Sequence, residues 1–174
     1  LAAGSSNANG GAYRGLATSS SIVSVKVLNG NGEGQTSWLL NGLNWILANR
    51  TTHNIRVVNL SLGTTAVDSY TNDPVCVKVK ELVEAGIVVI AAAGNLGKRP
   101  DGGKAYGRIH SPGNSPYVIT VGASNSYGTT NRSDDSIASY SSRGPTRGYF
   151  TTSTGMRVYD NLIKPDIVAP GNRL

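Results

Sequence analysis

The sequence predicts an α/β fold in which a mainly parallel β-sheet is flanked by helices. Helical patterns alternate along the chain with short runs that are almost continuously apolar. Such runs are typical of parallel strands that helices cover on both faces. A chain of 174 residues with 39% hydrophobic content can bury one core of ordinary size, so we expect one domain or a large part of one.

The first half of the chain predicts a strand, a helix and a second strand. Residues 22–28 (IVSVKVL) are rich in β-branched side chains and predict the first strand. Apolar residues then recur at helical spacing after Thr36 or Ser37, either of which can serve as the N-cap. Residues 55–63 (IRVVNLSLG) predict the second strand.

A second helix comes next, with clear signals at both of its ends. Asp73 is a good N-cap residue, Pro74 suits the first helical position, and Gly86 ends the apolar pattern. The remaining strands are predicted at residues 87–92 and 117–123, with a short last strand within 163–171.

Composition excludes several classes of function. The net charge of +6 comes from scattered basic residues and not from the compact basic block that favours nucleic-acid binding. Cys76 is the single cysteine, which rules out a disulfide framework and a cysteine-rich zinc site. No apolar run reaches the length that spans a membrane.

The predicted site lies in three glycine-bearing loops. Residues 29–34, 61–63 and 92–95 each come after a predicted parallel strand. The carboxyl ends of such strands meet at one edge of the sheet, where ligands of this architecture bind.

A nucleotide site is one alternative for these loops. The first loop, however, reads G-x-G-x-G at Gly30, Gly32 and Gly34 and lacks the G-x-G-x-x-G spacing. No acidic residue comes after the second strand to bind a ribose, so a nucleotide-binding module is the less favoured interpretation.

An extended peptide fits the loops better. It could pair with the backbone of residues 32–34 on one side and of residues 61–63 on the other, which is recognition by strand addition. The small residues Ala92, Ala93 and Gly94 would leave an open pocket beside it. Asn95 would then offer a side-chain amide to a carbonyl oxygen that gains negative charge during acyl transfer.

Six segments in register resemble the subtilisin-like serine proteases, the subtilases. They are VKVLNGNGEGQTSWLLNGLNW, VVNLSLG, VVIAAAGNLG, SPYVITVGAS, SYSSRGP and IKPDIVAPG. The resemblance implies a subtilisin-like three-layer α/β/α fold, incomplete because it is truncated on both sides. Residues 1–174 would form the central part of a single peptidase catalytic domain.

The resemblance also implies roles for individual residues. Asn95 would be the oxyanion-hole asparagine. The substrate would pair with Ser61, Leu62 and Gly63, and the main specificity pocket would be completed by Ala92, Ala93 and Gly94. The other side of the substrate would be flanked by Gly32, Glu33 and Gly34. A second, apolar subsite would be formed by Leu28, Thr36, Leu39 and Leu62.

The family's catalytic aspartate, histidine and serine segments have no match in this sequence. LAAG at its start resembles the family's residues immediately after the histidine segment, and the serine segment belongs shortly after the A-P-G motif. We therefore expect a fragment of a serine endopeptidase that is inactive alone. The alternative is a catalytically silent relative that only binds extended peptides.

The remaining chemically notable residues are expected to have structural roles. His53 and His110 are predicted to be solvent-exposed loop residues, and Cys76 a buried thiol on the apolar side of its helix. The resemblance implies a structural calcium ion with Asn9 as a ligand. It also implies a secreted protein. The truncated faces predict that the fragment either self-associates through its exposed apolar surface or is kept soluble by its net charge.

Overall fold

The computed structural model describes residue 10 and residues 14–172. Within that part of the chain the helices are α1 (Thr36–Asn49) and α2 (Pro74–Glu84). The strands are β1 (Val57–Leu60), β2 (Thr64–Thr65), β3 (Val88–Ala92), β4 (His110–Ser111), β5 (Ile119–Asn125), β6 (Ser136–Ile137), β7 (Tyr149–Thr151), β8 (Arg157–Tyr159) and β9 (Ile167–Pro170).

The main sheet is mostly parallel, as the sequence predicts. Strands β1, β3, β5 and β9 are parallel neighbours, with Val57 opposite Val88, Ile90 opposite Ile119 and Val121 opposite Ile167. Strand β6 adds a short antiparallel pair to β5. Two small antiparallel sheets, β2 with β4 and β7 with β8, lie outside it. The predicted α/β class is confirmed.

The hydrophobic core lies between the two helices and one face of this sheet. Strands β1 and β3 turn alternate side chains toward the helices, because side chains along a strand alternate between its faces. The buried residues of the core cluster include Leu43, Ile46, Val58, Leu60, Val79, Leu82, Val89 and Ala91. Burial of each Val, Leu or Ile side chain in this cluster contributes roughly 1.5–3 kcal/mol relative to exposure.

The opposite face of the sheet is largely open to solvent within the described residues. Val57, Val88, Ile119 and Ile167 are 56%, 47%, 41% and 54% exposed. Both described helices pack on the Val58 face, so this part of the chain has two layers where the sequence suggested cover on both faces. We call these four residues the open face.

The predicted first strand is not formed. Residues 22–28 form no regular secondary structure and have no hydrogen-bonded strand neighbour among the described residues. The side chains of Val25 and Val27 instead lie over α1 at Gly42, where an added Cβ would stand 2.6 Å from a Val27 methyl group. A β-branched sequence does not by itself supply the partner that a strand requires.

The two helices begin differently. Helix α1 has Gln35, rather than Thr36 or Ser37, at its N-cap position, and no side chain caps it. Helix α2 begins as the sequence predicts, because Asp73 Oδ1 accepts hydrogen bonds from Val75 N at 2.8 Å and Cys76 N at 3.3 Å. Gly86, at φ +86°, lies just beyond the last turn.

Neither of the two described helices is both long and apolar enough to serve as a membrane span.

Candidate functional site

The predicted substrate loops meet at the carboxyl edge of the sheet. Leu60 of β1 lies opposite Ala91 of β3, so residues 61–63 and 93–95 leave the sheet side by side. The loop that precedes α1 lies beside residues 61–63, across a groove. This placement agrees with the edge expected from parallel strands.

The groove has a cavity volume of about 440 Å³. The predicted site residues that line it are Leu28, Gly32, Glu33, Gly34, Thr36, Leu39, Ser61, Leu62 and Gly63. Val27, Gln35, Thr64, Val75 and Ser111 complete the lining. Glu33 is the one charged side chain among these described residues, so the groove carries negative charge at a single wall.

Asn29 builds the loop that forms one wall. Its Oδ1 accepts hydrogen bonds from Asn31 N at 2.9 Å and Glu33 N at 3.0 Å. Its own backbone N–H donates to Glu33 O at 2.8 Å, closing the turn. Gly32 occupies the left-handed region at φ +77°, which glycine adopts without strain. The loop is therefore held in shape before any ligand binds.

The opposite wall has an unpaired backbone. Residues 61–63 extend beyond β1 but belong to no sheet, and their backbone groups make no hydrogen bond within the described residues. Asn59 Nδ2 donates to Ser61 Oγ at 2.9 Å, which restrains the start of the segment. A peptide laid along this segment could use its free donors and acceptors.

Strand β4 lies against Gly63, so the close approach that this glycine permits is used by the chain itself. A Cβ at Gly63 would stand 2.6 Å from Ser111 O. Thr64 pairs with Ser111 and Thr65 with His110 in the β2–β4 sheet. The glycine of the S-L-G segment therefore has a structural requirement, whether or not a substrate is bound.

His110 contradicts the prediction of a solvent-exposed loop residue. It is partly buried in β4, and its backbone N–H donates to Ala93 O at 3.0 Å. Its imidazole covers Gly94, where an added Cβ would stand 2.7 Å from the ring Cγ. Burial lowers the pKa of His110 below its usual value. No local pattern predicts this strand of two residues, which exists only because β2 lies opposite.

Of the three predicted pocket residues, Gly94 lies against this imidazole rather than beside an open space. Ala93 is 1% exposed, while Ala92 and Gly94 are partly buried. None of the three lines the groove described above. Gly94 has φ +104°, a conformation that side-chain-bearing residues rarely adopt. The structure thus separates a groove along residues 61–63 from a second region in which His110 fills the space beside Gly94.

Asn95 is exposed in the turn directly after Gly94. The segment around Ser142 anchors this turn on both sides. Ser142 Oγ accepts from Leu96 N at 3.0 Å, and Ser142 N donates to Gly94 O at 2.9 Å. Gly97 N donates to Tyr140 O at 2.8 Å, and Arg143 Nη1 donates to Gly97 O at 2.8 Å. The position of the Asn95 backbone is therefore fixed by the S-Y-S-S-R-G segment.

A second cavity, of about 360 Å³, lies away from the predicted site. Its lining includes Tyr106, Ile137, Arg143, Ile163 and Val168. None of the predicted site residues lines it. We take the groove along residues 61–63 as the candidate site, because predicted site residues line it and its wall offers unpaired backbone groups among the described residues.

The remaining sequence candidates lie apart from the groove or are inert. His53 is exposed and stacks on Trp45, with ring centroids 5.5 Å apart. Cys76 is buried, and burial together with the nearby Asp73 carboxylate raises the pKa of its thiol to about 12. Asn9, the predicted calcium ligand, falls outside the described residues. In the described ranges no group of three or more His, Cys, Asp or Glu side chains could hold a metal ion.

Comparison with known families decides the affiliation of the chain. A model of the subtilase family, peptidase S8, matches residues 1–173. This chain belongs to the subtilase family. The match spans the groove, the Asn95 turn and the S-Y-S-S-R-G segment, so the site lies within the family's own core.

Individual subtilases resemble the chain over much of its length. Serine protease AprX of Bacillus subtilis (strain 168) is 40% identical over 174 residues, which cover 97% of this chain and 35% of AprX. Subtilisin E of the same organism is 37% identical over 134 residues, covering 75% of this chain and 29% of subtilisin E. The chain therefore spans about a third of these subtilases.

A solved structure supports the fold independently. Sphericase superposes with a TM-score of 0.70 at 24% identity, and the match covers 98% of this chain and 49% of Sphericase. At that identity the likeness concerns the fold alone. The arrangement of sheet and helices described above is thus also present in that structure.

Proposed function

We propose that the full-length protein containing this chain is a serine-type endopeptidase that cleaves extended segments of polypeptide. Membership of the subtilase family supports the reaction class, as do relatives named serine protease and subtilisin. The observation that carries the binding mode is the unpaired backbone of residues 61–63 along a groove of about 440 Å³.

In this proposal the substrate adds a strand between the two walls. Its backbone pairs with residues 61–63, and the loop of residues 32–34 flanks its other side. Leu28, Thr36, Leu39 and Leu62 form an apolar subsite along the groove. Glu33 stands at the wall as a single negative charge and favours a basic substrate residue there.

Asn95 is proposed to stabilise the developing oxyanion. A serine of the full-length protein attacks the peptide carbonyl carbon, and its proton passes to a histidine base. The carbonyl oxygen then carries negative charge, to which the Asn95 side-chain N–H and a backbone N–H donate hydrogen bonds. The anchoring of this turn by Ser142 supports the proposal, because a fixed donor needs no reorganisation when charge develops.

Two further expectations belong to the same proposal. The full-length protein acts outside the cell, as the family resemblance implies. The 174-residue chain alone has no peptidase activity, because the serine, histidine and aspartate are supplied from elsewhere in the protein.

A fluorophosphonate probe separates an active peptidase from a silent peptide-binding relative. We expect the full-length protein to react covalently with the probe and to cleave an unfolded, quenched fluorescent protein substrate. The isolated 174-residue chain serves as the matched control and should do neither. Peptide binding by the full-length protein without labelling or cleavage would support the silent relative and overturn the proposed activity.

A further inference from the structure

We propose that the His110 imidazole forms the inner end of the main specificity pocket and selects substrates that place an asparagine or glutamine side chain there. This inference rests on the proposed function, since it assigns a preference to the same cleft. The substrate residue whose side chain enters this pocket is called the pocket residue below.

The geometry places His110 between the two walls of the pocket. A Cβ at Gly63 would stand 3.3 Å from the His110 Cβ. A Cβ at Gly94 would stand 2.7 Å from Cγ and 2.9 Å from Nδ1 of the ring. At both glycines the space that a side chain would need is therefore occupied, by β4 at Gly63 and by the imidazole at Gly94. A side chain that enters beside Gly94 meets this ring.

Limited depth disfavours large pocket residues. The sequence alone predicts an open pocket floored by Ala92, Ala93 and Gly94. With the imidazole against Gly94, an aromatic pocket residue could enter only if the ring moved, and β4 is fixed at both of its residues by pairing with β2. Close-packed groups of this kind resist displacement. Shorter side chains can enter without moving it.

The ring also offers unused hydrogen-bonding capacity. His110 Nε2 is fully buried and has no hydrogen-bond partner among the described residues. A neutral imidazole has one donor and one acceptor nitrogen, and the partner of one nitrogen decides which tautomer forms. No described group fixes the protonation of Nε2, so Nδ1, the ring nitrogen that would lie 2.9 Å from a Cβ at Gly94, can act as donor or acceptor. An amide side chain carries both functions and can pair with either tautomer.

Charge distinguishes amides from carboxylates. The strand pairing, the backbone hydrogen bonds and the close glycine approaches at His110 involve only uncharged residues: Gly63, Thr65, Ala93, Gly94, Gly113 and Asn114. Burial lowers the pKa of His110 below its usual value and so favours the neutral imidazole. A carboxylate would lose its hydration here without meeting a positive charge, which is costly, whereas an amide loses less and regains a hydrogen bond.

The test compares two substitutions of His110 in the full-length protein. His110→Leu keeps much of the side-chain volume but removes its polar nitrogens, and His110→Ala removes the volume. kcat/KM is measured on peptides that differ only in the pocket residue: Gln, Glu, Phe or Ala. His53→Ala, which changes an exposed histidine, is the matched control. Cleavage of the Ala peptide and thermal unfolding report whether each variant folds.

The wild type is expected to prefer Gln over Glu and Phe. His110→Leu should lower the ratio of kcat/KM for the Gln peptide to that for the Ala peptide about tenfold, because the hydrogen bond is lost. It should leave kcat/KM for the Phe peptide low, because the leucine still fills the space. His110→Ala should raise kcat/KM for the Phe peptide about tenfold relative to the Ala peptide. An unchanged selectivity profile in both variants, or a wild type that prefers Phe, would overturn the proposal.

Peptide binding separates this inference from the proposed function. Calorimetry measures the affinity of peptides that end in Gln, Glu or Phe, which resemble cleavage products and need no turnover. In one outcome the full-length protein cleaves no peptide but binds the Gln peptide selectively, and His110→Leu abolishes that binding. This result would refute the peptidase activity and support the role of His110 in selectivity. Cleavage with unaltered selectivity would refute His110 and leave the peptidase standing. Neither cleavage nor binding would refute both.

Discussion

Single hydrogen bonds position the residues on which the proposed chemistry depends. The Asn95 turn is held through Ser142 Oγ, which accepts from Leu96 N at 3.0 Å. The loop of residues 29–34 is held through Asn29 Oδ1. Neither Ser142 nor Asn29 is distinguished by sequence pattern, since serine and asparagine are common in loops. Their roles become visible only when the distant backbone groups that they bind are known.

If the full-length protein is the proposed peptidase, Ser142→Ala is expected to lower its kcat by roughly three- to tenfold with little change in KM. The substitution frees Leu96 N and loosens the turn that holds Asn95. In the proposed mechanism the hydrogen bond from Asn95 matters only when charge develops on the substrate. Steady-state kinetics measure the effect, and Ser139→Ala, on an exposed serine of the same segment, is the control. Equal loss in both variants would show that Ser142 does not position Asn95.

Cys76 makes stability depend on pH in the alkaline range. Its folded-state pKa is raised from 9.0 to about 12, so the thiol stays protonated in the folded protein while the unfolded chain loses the proton above pH 9. Stability from this group is complete below pH 9 and falls as pH rises toward 12. We expect the wild type to lose roughly 2 kcal/mol more than Cys76→Ala by about pH 10.5.

Denaturant unfolding at several pH values measures this difference between the wild type and Cys76→Ala. The comparison with Cys76→Ala cancels the titration of lysines and tyrosines that both proteins share. Parallel curves for the two proteins between pH 9 and 12 would contradict the buried-thiol account.

At the level of secondary structure, sequence signals are reliable where one residue satisfies a local need. Asp73 and Pro74 predicted the start of α2 correctly, because capping requires only neighbouring backbone groups. The prediction of a strand at residues 22–28 is wrong, since a strand needs a partner that local sequence does not reveal. The prediction of His110 as an exposed loop residue is wrong for the same reason, because β4 forms only by pairing with β2.

Asp73→Ala should destabilise the fold by about 1–2 kcal/mol. The alanine leaves Val75 N and Cys76 N without the carboxylate that caps them, at a position only 9% exposed. Equilibrium unfolding in denaturant measures the loss, and Asp73→Asn should recover much of it because an amide oxygen also caps. A variant as stable as the wild type would show that the Asp73 cap is dispensable.

The whole molecule combines a well-packed core on one side of its sheet with an open face on the other. The α/β class could be predicted, and so could the meeting of the loops at 61–63 and 93–95 at one edge of the sheet, because the chain alternates strand and helix patterns and parallel strands end at the same edge. The distribution of the helices could not, since an apolar strand does not reveal which face a helix covers. Val57, Val88, Ile119 and Ile167 therefore remain exposed in the described chain.

The open face is expected to make the isolated 174-residue chain self-associate. Contiguous apolar surface of this kind is removed from water when copies meet. Sedimentation should show oligomers of the chain and a shift toward monomer for Val88→Lys. Val77→Lys, at a 40% exposed apolar position on α2, is the control. A stable wild-type monomer with cooperative thermal unfolding would contradict this expectation.

The proposed peptidase mechanism depends above all on the oxyanion role of Asn95, which steady-state kinetics of the full-length protein can decide. Asn95→Ala is predicted to reduce kcat about 100- to 1000-fold with KM nearly unchanged, the magnitude known for removal of the oxyanion asparagine in subtilisin. In the proposed mechanism the amide stabilises only the transition state, so ground-state binding should persist. A kcat within about threefold of the wild type, or a loss confined to KM, would contradict this role.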